Sequence, residues 1–130
     1  MGKEENAIMR QCMEILGLYG LVYLKKASDV VAEGEREHRC GVYWRQNTGA
    51  AWFGEGNKKR PVFYGVPGQA DIAGILGDGT RFHIETKTPT GRQSDTQKAY
   101  EKIVTGFGEN YIIVRDVAEL QAWLDTPLGE

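Results

Sequence analysis

The chain has few of the features that mark secreted, zinc-binding or membrane proteins. Its two cysteines, Cys12 and Cys40, have neither the spacing of a zinc motif nor the number that a disulfide framework needs. Cys12 falls on an apolar position of a helical pattern, so we expect it to be a small buried hydrophobe. There is no long apolar run, and the amino terminus MGKEEN does not resemble a signal peptide. These absences favour a cytoplasmic protein.

The chain also lacks a strong excess of charge of either sign. Its formal net charge is −2, so bulk charge does not indicate nucleic-acid binding, and any contact with DNA has to come from local basic patches. Apolar residues make up 41% and charged residues 26%, as is ordinary for a globular protein. The length and the absence of internal repeats predict a single domain over residues 1–130.

The most informative stretch runs over residues 68–97 and contains a predicted β-hairpin. If residues 77–79 form a three-residue loop whose last glycine is left-handed, Asp71 lies opposite Glu85. Side chains alternate along a strand, so Asp71, Glu85 and Lys87 then share one face, and the other face is nearly all apolar. A two-residue turn would slip the register and mix the faces, which is disfavoured where one face is buried.

Two carboxylates and an amine on one face suit the hydrolysis of a phosphodiester. Carboxylates are hard oxygen ligands for Mg²⁺ or Mn²⁺, which can lower the pKa of a water molecule. A lysine beside the metal can orient that water and neutralise charge that develops on the phosphate. The alternative is a surface ion pair between Glu85 and Lys87 on a half-exposed strand.

Helical and strand patterns alternate before the hairpin. Residues 4–19 have helical periodicity, and residues 21–24 either extend this helix or begin a strand. Residues 25–41 are charged and weakly patterned, so we expect an exposed excursion with a short helix around residues 28–32. Residues 42–46 are predicted to form a strand.

A long loop or loose hairpin is predicted over residues 50–68, where basic residues lie between aromatic ones. These residues are Trp52, Phe53, Lys58, Lys59, Arg60, Phe63 and Tyr64. The mixture is typical of a segment that grips phosphates and bases. It is equally compatible with a solvated loop tip that has its aromatic side chains packed underneath.

Two capping boxes open the last two helices. The first, Ser94 to Gln97, precedes a helix with four apolar residues that we expect to be buried. They are Tyr100, Ile103, Val104 and Phe107. The second, Asp116 to Glu119, opens the final helix after a short apolar strand at residues 110–115. This order of elements predicts an α/β domain with a mixed β-sheet.

With these elements placed, the sequence resembles the VRR-NUC family, the viral-type replication and repair nucleases of the PD-(D/E)XK superfamily. The resemblance is carried by Glu5 at the start of the first helix and by three motifs. The motifs are WRQNTGA (Trp44–Ala50), GVPGQADI (Gly65–Ile72) and ETKTPTGRQSDTQ (Glu85–Gln97). One departure is an additional segment, Leu24–Val42, which puts the path of the first strand in question.

The resemblance implies a restriction-endonuclease-like core, a mixed β-sheet flanked by α-helices, and Mg²⁺- or Mn²⁺-dependent hydrolysis of DNA. Asp71, Glu85 and the backbone carbonyl of Thr86 are implied as metal ligands. Lys87 resembles the lysine that positions the attacking water, and Glu5 the first-helix acid that completes the site. Whether the site holds one metal or two stays open.

The resemblance also implies a supporting residue, and six further residues are candidates for contact with DNA. Gln97 is expected to support the site or to contact substrate at the start of its helix. The candidates for DNA contact are Arg45, Asn47, Lys58, Lys59, Arg60 and Arg92. Stand-alone viral and bacterial members look like homodimers that act on branched DNA, above all on four-way (Holliday) junctions. Flap, nicked or linear DNA is an alternative substrate, and a non-catalytic DNA-binding module is an alternative of another class.

Overall fold

The computed structural model of the protein describes residues 2–47 and 49–126. Thr48, in the turn that the sequence predicts over residues 47–49 after the strand at residues 42–46, lies outside the described residues. The helices are α1 (Lys3–Leu18), α2 (Ala27–Gly34), α3 (Asp95–Gly106) and α4 (Val117–Asp125). The strands are β1 (Val22–Tyr23), β2 (Gly41–Arg45), β3 (Gly49–Phe53), β4 (Arg60–Tyr64), β5 (Ile72–Leu76), β6 (Arg81–Thr86) and β7 (Asn110–Val114). None of the described helices is both long and apolar enough to cross a membrane.

Five strands form one mixed sheet in the order β1-β2-β5-β6-β7. The two outer pairs, β1–β2 and β6–β7, are parallel, and the inner pairs, β2–β5 and β5–β6, are antiparallel. Helices α1 and α4 pack on one face, and α3 covers part of the other. The prediction of an α/β domain with a mixed sheet flanked by helices is therefore confirmed. The sequence left open whether residues 21–24 extend the first helix or begin a strand. In the structure they contain the edge strand β1.

The predicted register of the central hairpin is confirmed. Ile72 pairs with Ile84 and Gly74 pairs with Phe82. Asp71, the residue before β5, therefore lies opposite Glu85. The loop spans three residues, and its last residue, Gly79, has φ +92° as the predicted turn requires.

The apolar face of this hairpin forms the core with α1 and α4. The buried core residues are Met9, Cys12, Leu16, Leu21, Tyr43, Ile72, Phe82, Ile84, Val114 and Leu120. The ring of Phe82 lies against Trp123 of α4, with centroids 5.6 Å apart. It also covers Gly74, where an added Cβ would come within 2.3 Å of the ring. Position 74 must therefore be glycine if the ring of Phe82 is to occupy its place in the core.

Residues 49–64 form a separate two-stranded hairpin from β3 and β4. The sequence predicted either a long loop or a loose hairpin for this segment, and the structure has the hairpin. Its aromatic side chains are exposed, which contradicts the alternative that they pack underneath a loop tip. The excursion before β2 contains the expected short helix as α2, although Glu33 within it is buried.

The capping box of α3 is confirmed, but the predicted burial of its apolar residues is only partly right. Val104 is buried and Tyr100 is half-buried, and both face the sheet. Ile103 and Phe107 are exposed, Phe107 to 84%. Residues 100 and 104 are one turn apart on a single stripe, and the second apolar stripe at 103 and 107 points away from the sheet. A helix that packs on one narrow stripe leaves the neighbouring stripe in solvent.

The two cysteines should differ sharply in reactivity. Burial, with a smaller effect of the Asp71 charge, raises the pKa of the Cys12 thiol to about 12, whereas Cys40 is exposed. Because the thiolate is the reactive form, we expect iodoacetamide at pH 8 to modify Cys40 alone in the folded protein and both cysteines in guanidinium. Peptide mass spectrometry measures the sites. Equal rates at both cysteines in the folded protein would contradict the placement of Cys12 in the core.

Candidate active site

A polar cleft of about 400 Å³ opens beside the central hairpin. Its lining comes from the first turns of α1, the end of β2, the hairpin and the start of α3. The lining residues are Glu5, Met9, Arg45, Gln46, Asn47, Asp71, Glu85, Lys87 and Gln97. Residues from four separate parts of the chain are thus brought to one cavity, and most of them carry polar side chains.

Asp71 is held from both neighbouring strands. The backbone N and the Oγ1 of Thr86 each donate a hydrogen bond of 2.8 Å to its Oδ2. Its own carbonyl accepts a 2.8 Å hydrogen bond from the backbone N of Gln46. The N–H and C=O of one strand residue point toward the same neighbouring strand, so the Thr86 carbonyl faces the side on which Asp71 lies.

Glu85 is only 2% exposed, and each of its oxygens has a donor. Gln97 Nε2 donates to Oε1 at 3.3 Å, and the Tyr111 hydroxyl donates to Oε2 at 3.2 Å. Burial, and next the negative charge of Asp71, raise the pKa of Glu85 to about 8, against the opposing effects of Lys87 and Tyr111. Two carboxylates side by side, one of them buried, resist holding two negative charges.

This pair fits a divalent cation. A cation would relieve the repulsion between the two carboxylates, and Mg²⁺ is usually held by one or two carboxylates together with water and substrate phosphate. Within residues 2–47 and 49–126, no three His, Cys, Asp or Glu side chains cluster as metal ligands. Glu5 lies on the first turn of α1 and lines the same cleft, outside such a cluster. The two-carboxylate set with oxygen donors nearby therefore suits Mg²⁺ or Mn²⁺.

Lys87 follows β6 and reaches the same cleft, with only 9% of its surface exposed. With both Glu85 and Lys87 buried, a surface ion pair on a half-exposed strand does not describe them. The turn after Lys87 is clamped by Arg115, whose Nη1 donates to the carbonyls of Thr88 at 2.8 Å and Gly91 at 2.5 Å. This clamp fixes where the chain leaves the site.

A polar layer under α3, which sequence patterns did not reveal, supports Glu85. The Tyr111 hydroxyl lies 3.5 Å from Gln93 Nε2, which donates to Glu101 Oε1 at 3.1 Å. The ring of Tyr111 also stacks with that of His83, another buried residue on the face of Glu85. Tyr111 lies in a strand whose sequence is mostly apolar, so its role was not predicted. The parallel pairing of β6 with β7 brings its hydroxyl to the site.

The predicted DNA-contacting residues lie in three places. Arg45 and Asn47 line the cleft. Lys58, Lys59 and Arg60 lie at the end of the β3–β4 hairpin, and Arg92 is exposed in the turn before α3.

A larger cavity of about 620 Å³ lies between α2 and the end of the sheet where β2 begins and β5 ends, but it contains none of the predicted site residues. Its one buried acid, Glu33, is paired with Arg36 at 3.1 Å and lies 3.9 Å from Arg39. The carboxylate pair and the lysine therefore make the smaller cleft the candidate active site.

No protein-family model, curated protein or solved structure matches the chain.

Replacing Glu85 by glutamine should change how the stability of the metal-free protein depends on pH. The folded state keeps a proton on Glu85 up to about pH 8, whereas the unfolded chain releases it near 4.5. This contribution to stability is complete below pH 4.5 and is lost as the pH rises to 8. In EDTA, the free energy of unfolding of Glu85→Gln should therefore rise relative to that of wild type by on the order of 2–4 kcal/mol as the pH increases from 5 to 8.5.

Urea unfolding at the two pH values measures the effect. Glu14→Gln, which changes an exposed acid on α1, is the matched control and should follow wild type at both. If the difference between Glu85→Gln and wild type does not vary with pH, the carboxylate is not held as a buried neutral group.

Proposed function

We propose that the protein is a metal-dependent nuclease that hydrolyses phosphodiester bonds in DNA. The observation that carries the proposal is the convergence of Asp71, Glu85 and Lys87 in one polar cleft. The raised pKa of Glu85 beside Asp71 adds support, because strongly perturbed carboxylates in a cleft are typical of functional sites.

Hydrolysis joins the oxygen of water to phosphorus and breaks the bond from phosphorus to the leaving sugar oxygen. That oxygen departs with the bonding electron pair and takes up a proton. A divalent cation held by Asp71, Glu85 and the Thr86 carbonyl would supply Lewis-acid activation of the phosphate and of water. Hydrogen bonds from Thr86 and Gln97 hold in place the two carboxylates that would bind the cation.

Lys87 supplies positive charge at the place where negative charge develops. Its ammonium group donates hydrogen bonds to water or to a phosphate oxygen, and this stabilises the transition state more than the bound substrate. Glu5, on the first turn of α1, lines the same cleft and would take part there as the first-helix acid. Arg45 and Asn47 on the rim are suited to binding the phosphates on either side of the bond that breaks.

At a finer level, we propose a restriction-endonuclease-like core of the VRR-NUC type. Support comes from the hairpin register, from the first-helix acid Glu5 in the same cleft, and from the capped helix α3, whose Gln97 donates to Glu85. The additional segment Leu24–Val42 contains α2 and leads into β2. By the same resemblance, we propose a homodimer that acts on branched DNA, with four-way junctions as the preferred substrate, in the cytoplasm of a bacterial or phage-infected cell.

Cleavage should require Lys87. We expect the wild-type protein to cut a synthetic four-way junction in Mg²⁺ or Mn²⁺, and Lys87→Met to cut it at least about 100-fold more slowly. Methionine keeps the length and apolar stem of the side chain and removes its charge, so folding should be preserved, which a melting curve checks. Lys102→Met, at an exposed lysine of α3, is the control and should cut like wild type.

The same assay should include a flap, a nicked duplex and a linear duplex of equal length. Faster cutting of the junction than of these three substrates is the expected order. No cutting of any substrate by wild type, or equal cutting by Lys87→Met, would rule out the proposed nuclease centre.

Asp71 should be required for metal binding. We expect Mn²⁺ to bind wild type, and Asp71→Asn to weaken this binding at least about 10-fold, since even indirect supports of a metal site contribute that much. Calorimetric titration without DNA measures it. Asp78→Asn, in the loop at the other end of the same hairpin, is the matched control. A protein that binds DNA but has no Mn²⁺ site that depends on Asp71 would be a non-catalytic binding module.

A further inference from the structure

The β3–β4 hairpin, residues 49–64, forms an arm that exposes aromatic rings on both of its faces. Trp52 is 69% exposed and Phe63 is 77% exposed. The strand register puts these two on one face, because Trp52 pairs with Pro61 and Phe63 pairs with Ala50. The opposite face carries Phe53, Val62 and Tyr64, which are also exposed. An apolar surface of this extent is typical of a binding site rather than of free surface.

The two rings on the first face are near neighbours. Trp52 and Phe63 are diagonal neighbours across the two strands, and the positions of such neighbours on the strands are about 7–8 Å apart. Both exposed rings can therefore reach the bases of one short unpaired segment, and stacking on an aromatic ring contributes about 1–3 kcal/mol per base.

The charge of the arm is opposite to that of the rest of the chain. The arm carries Lys58, Lys59 and Arg60 against the single acid Glu55, a net charge of +2. Because the whole chain is −2, the remainder is −4. Cations interleaved with exposed aromatic rings are the usual composition of surfaces that bind single-stranded nucleic acid.

Both ends of the arm are attached to the cleft. Asn47, which lines the cleft, stands just before β3, and the chain returns from β4 to Asp71. The two ends are tied together, since Gln69 Nε2 donates to the Asn47 carbonyl at 3.2 Å and Gln46 N donates to the Asp71 carbonyl at 2.8 Å. A DNA strand bound in the cleft would therefore pass the base of the arm.

We propose that this arm binds unpaired bases of the DNA beside the cleft, such as those in a gap or those that open at the centre of a junction, and thereby favours such DNA over intact duplex. Trp52 and Phe63 stack on these bases, and Lys58, Lys59 and Arg60 neutralise the flanking phosphates. The inference rests on the proposed function, in that it takes DNA to be the substrate of the cleft. In a paired duplex the bases are already stacked on one another, so the rings gain nothing from it.

The test measures binding apart from cleavage. In the Lys87→Met background with EDTA, fluorescence anisotropy gives the affinity for a duplex with a short single-stranded gap and for the intact duplex. We expect Trp52→Ala combined with Phe63→Ala to weaken binding to gapped DNA at least about 10-fold, and binding to intact duplex less than about 3-fold. Trp52→Phe should retain most of the preference. Phe107→Ala, at an equally exposed ring on α3, should change neither affinity.

Three results would overturn the proposal: no loss on gapped DNA, an equal loss on both DNAs, or a change of oligomeric state in the double variant. The last result, seen by sedimentation, would make the arm a contact with a second copy of the chain. The proposed nuclease activity fails separately. If wild type cuts nothing but the double variant loses its preference for gapped DNA, the arm retains its role and the catalytic proposal falls.

Discussion

The structure depends on two neighbouring carboxylates, Glu85, which is buried, and Asp71, which is half-buried. Such a pair resists carrying two negative charges, so Glu85 keeps its proton up to about pH 8 in the metal-free protein, and the surrounding hydrogen bonds hold both groups in place. Thr86 donates twice to Asp71, while Gln97 and Tyr111 donate to the two oxygens of Glu85. Each donor comes from a different element, so the hairpin, α3 and β7 must all be in position before the pair is stable.

Gln97 shows how closely the site is coupled to the helix that covers it. Its Oε1 accepts from the Ser94 backbone N at 2.9 Å, which completes the cap of α3, and its Nε2 donates to Glu85. Both ends of one amide are therefore engaged, one by the backbone and one by the site. A shift in where α3 begins would move the donor away from Glu85, so the starting residue of the helix and the geometry of the site are fixed together.

The parts of the fold that sequence alone predicts are those set by neighbouring residues. The loop at residues 77–79 fixes the hairpin register, and the capping boxes at Ser94 and Asp116 fix where two helices begin. What the sequence did not reveal comes from contacts between distant elements. The polar face of β6 is buried because α3 and β7 cover it, and the roles of Tyr111 and Arg115 depend on that docking. The exposure of Phe107 has the same origin, since an apolar pattern does not say which stripe meets the sheet.

The place where the arm is inserted has an evolutionary consequence. Strands β2 and β5 are antiparallel neighbours, with Arg45 opposite Ile72, so everything between them is formally the connection of one hairpin. Such a connection can lengthen, shorten or change sequence at little cost to the sheet, since the entropy of closing a loop grows slowly with its length. Asp71 follows this connection but is anchored by Thr86 and Gln46. The arm is therefore a module that can diversify or be exchanged independently of the residues that carry the chemistry.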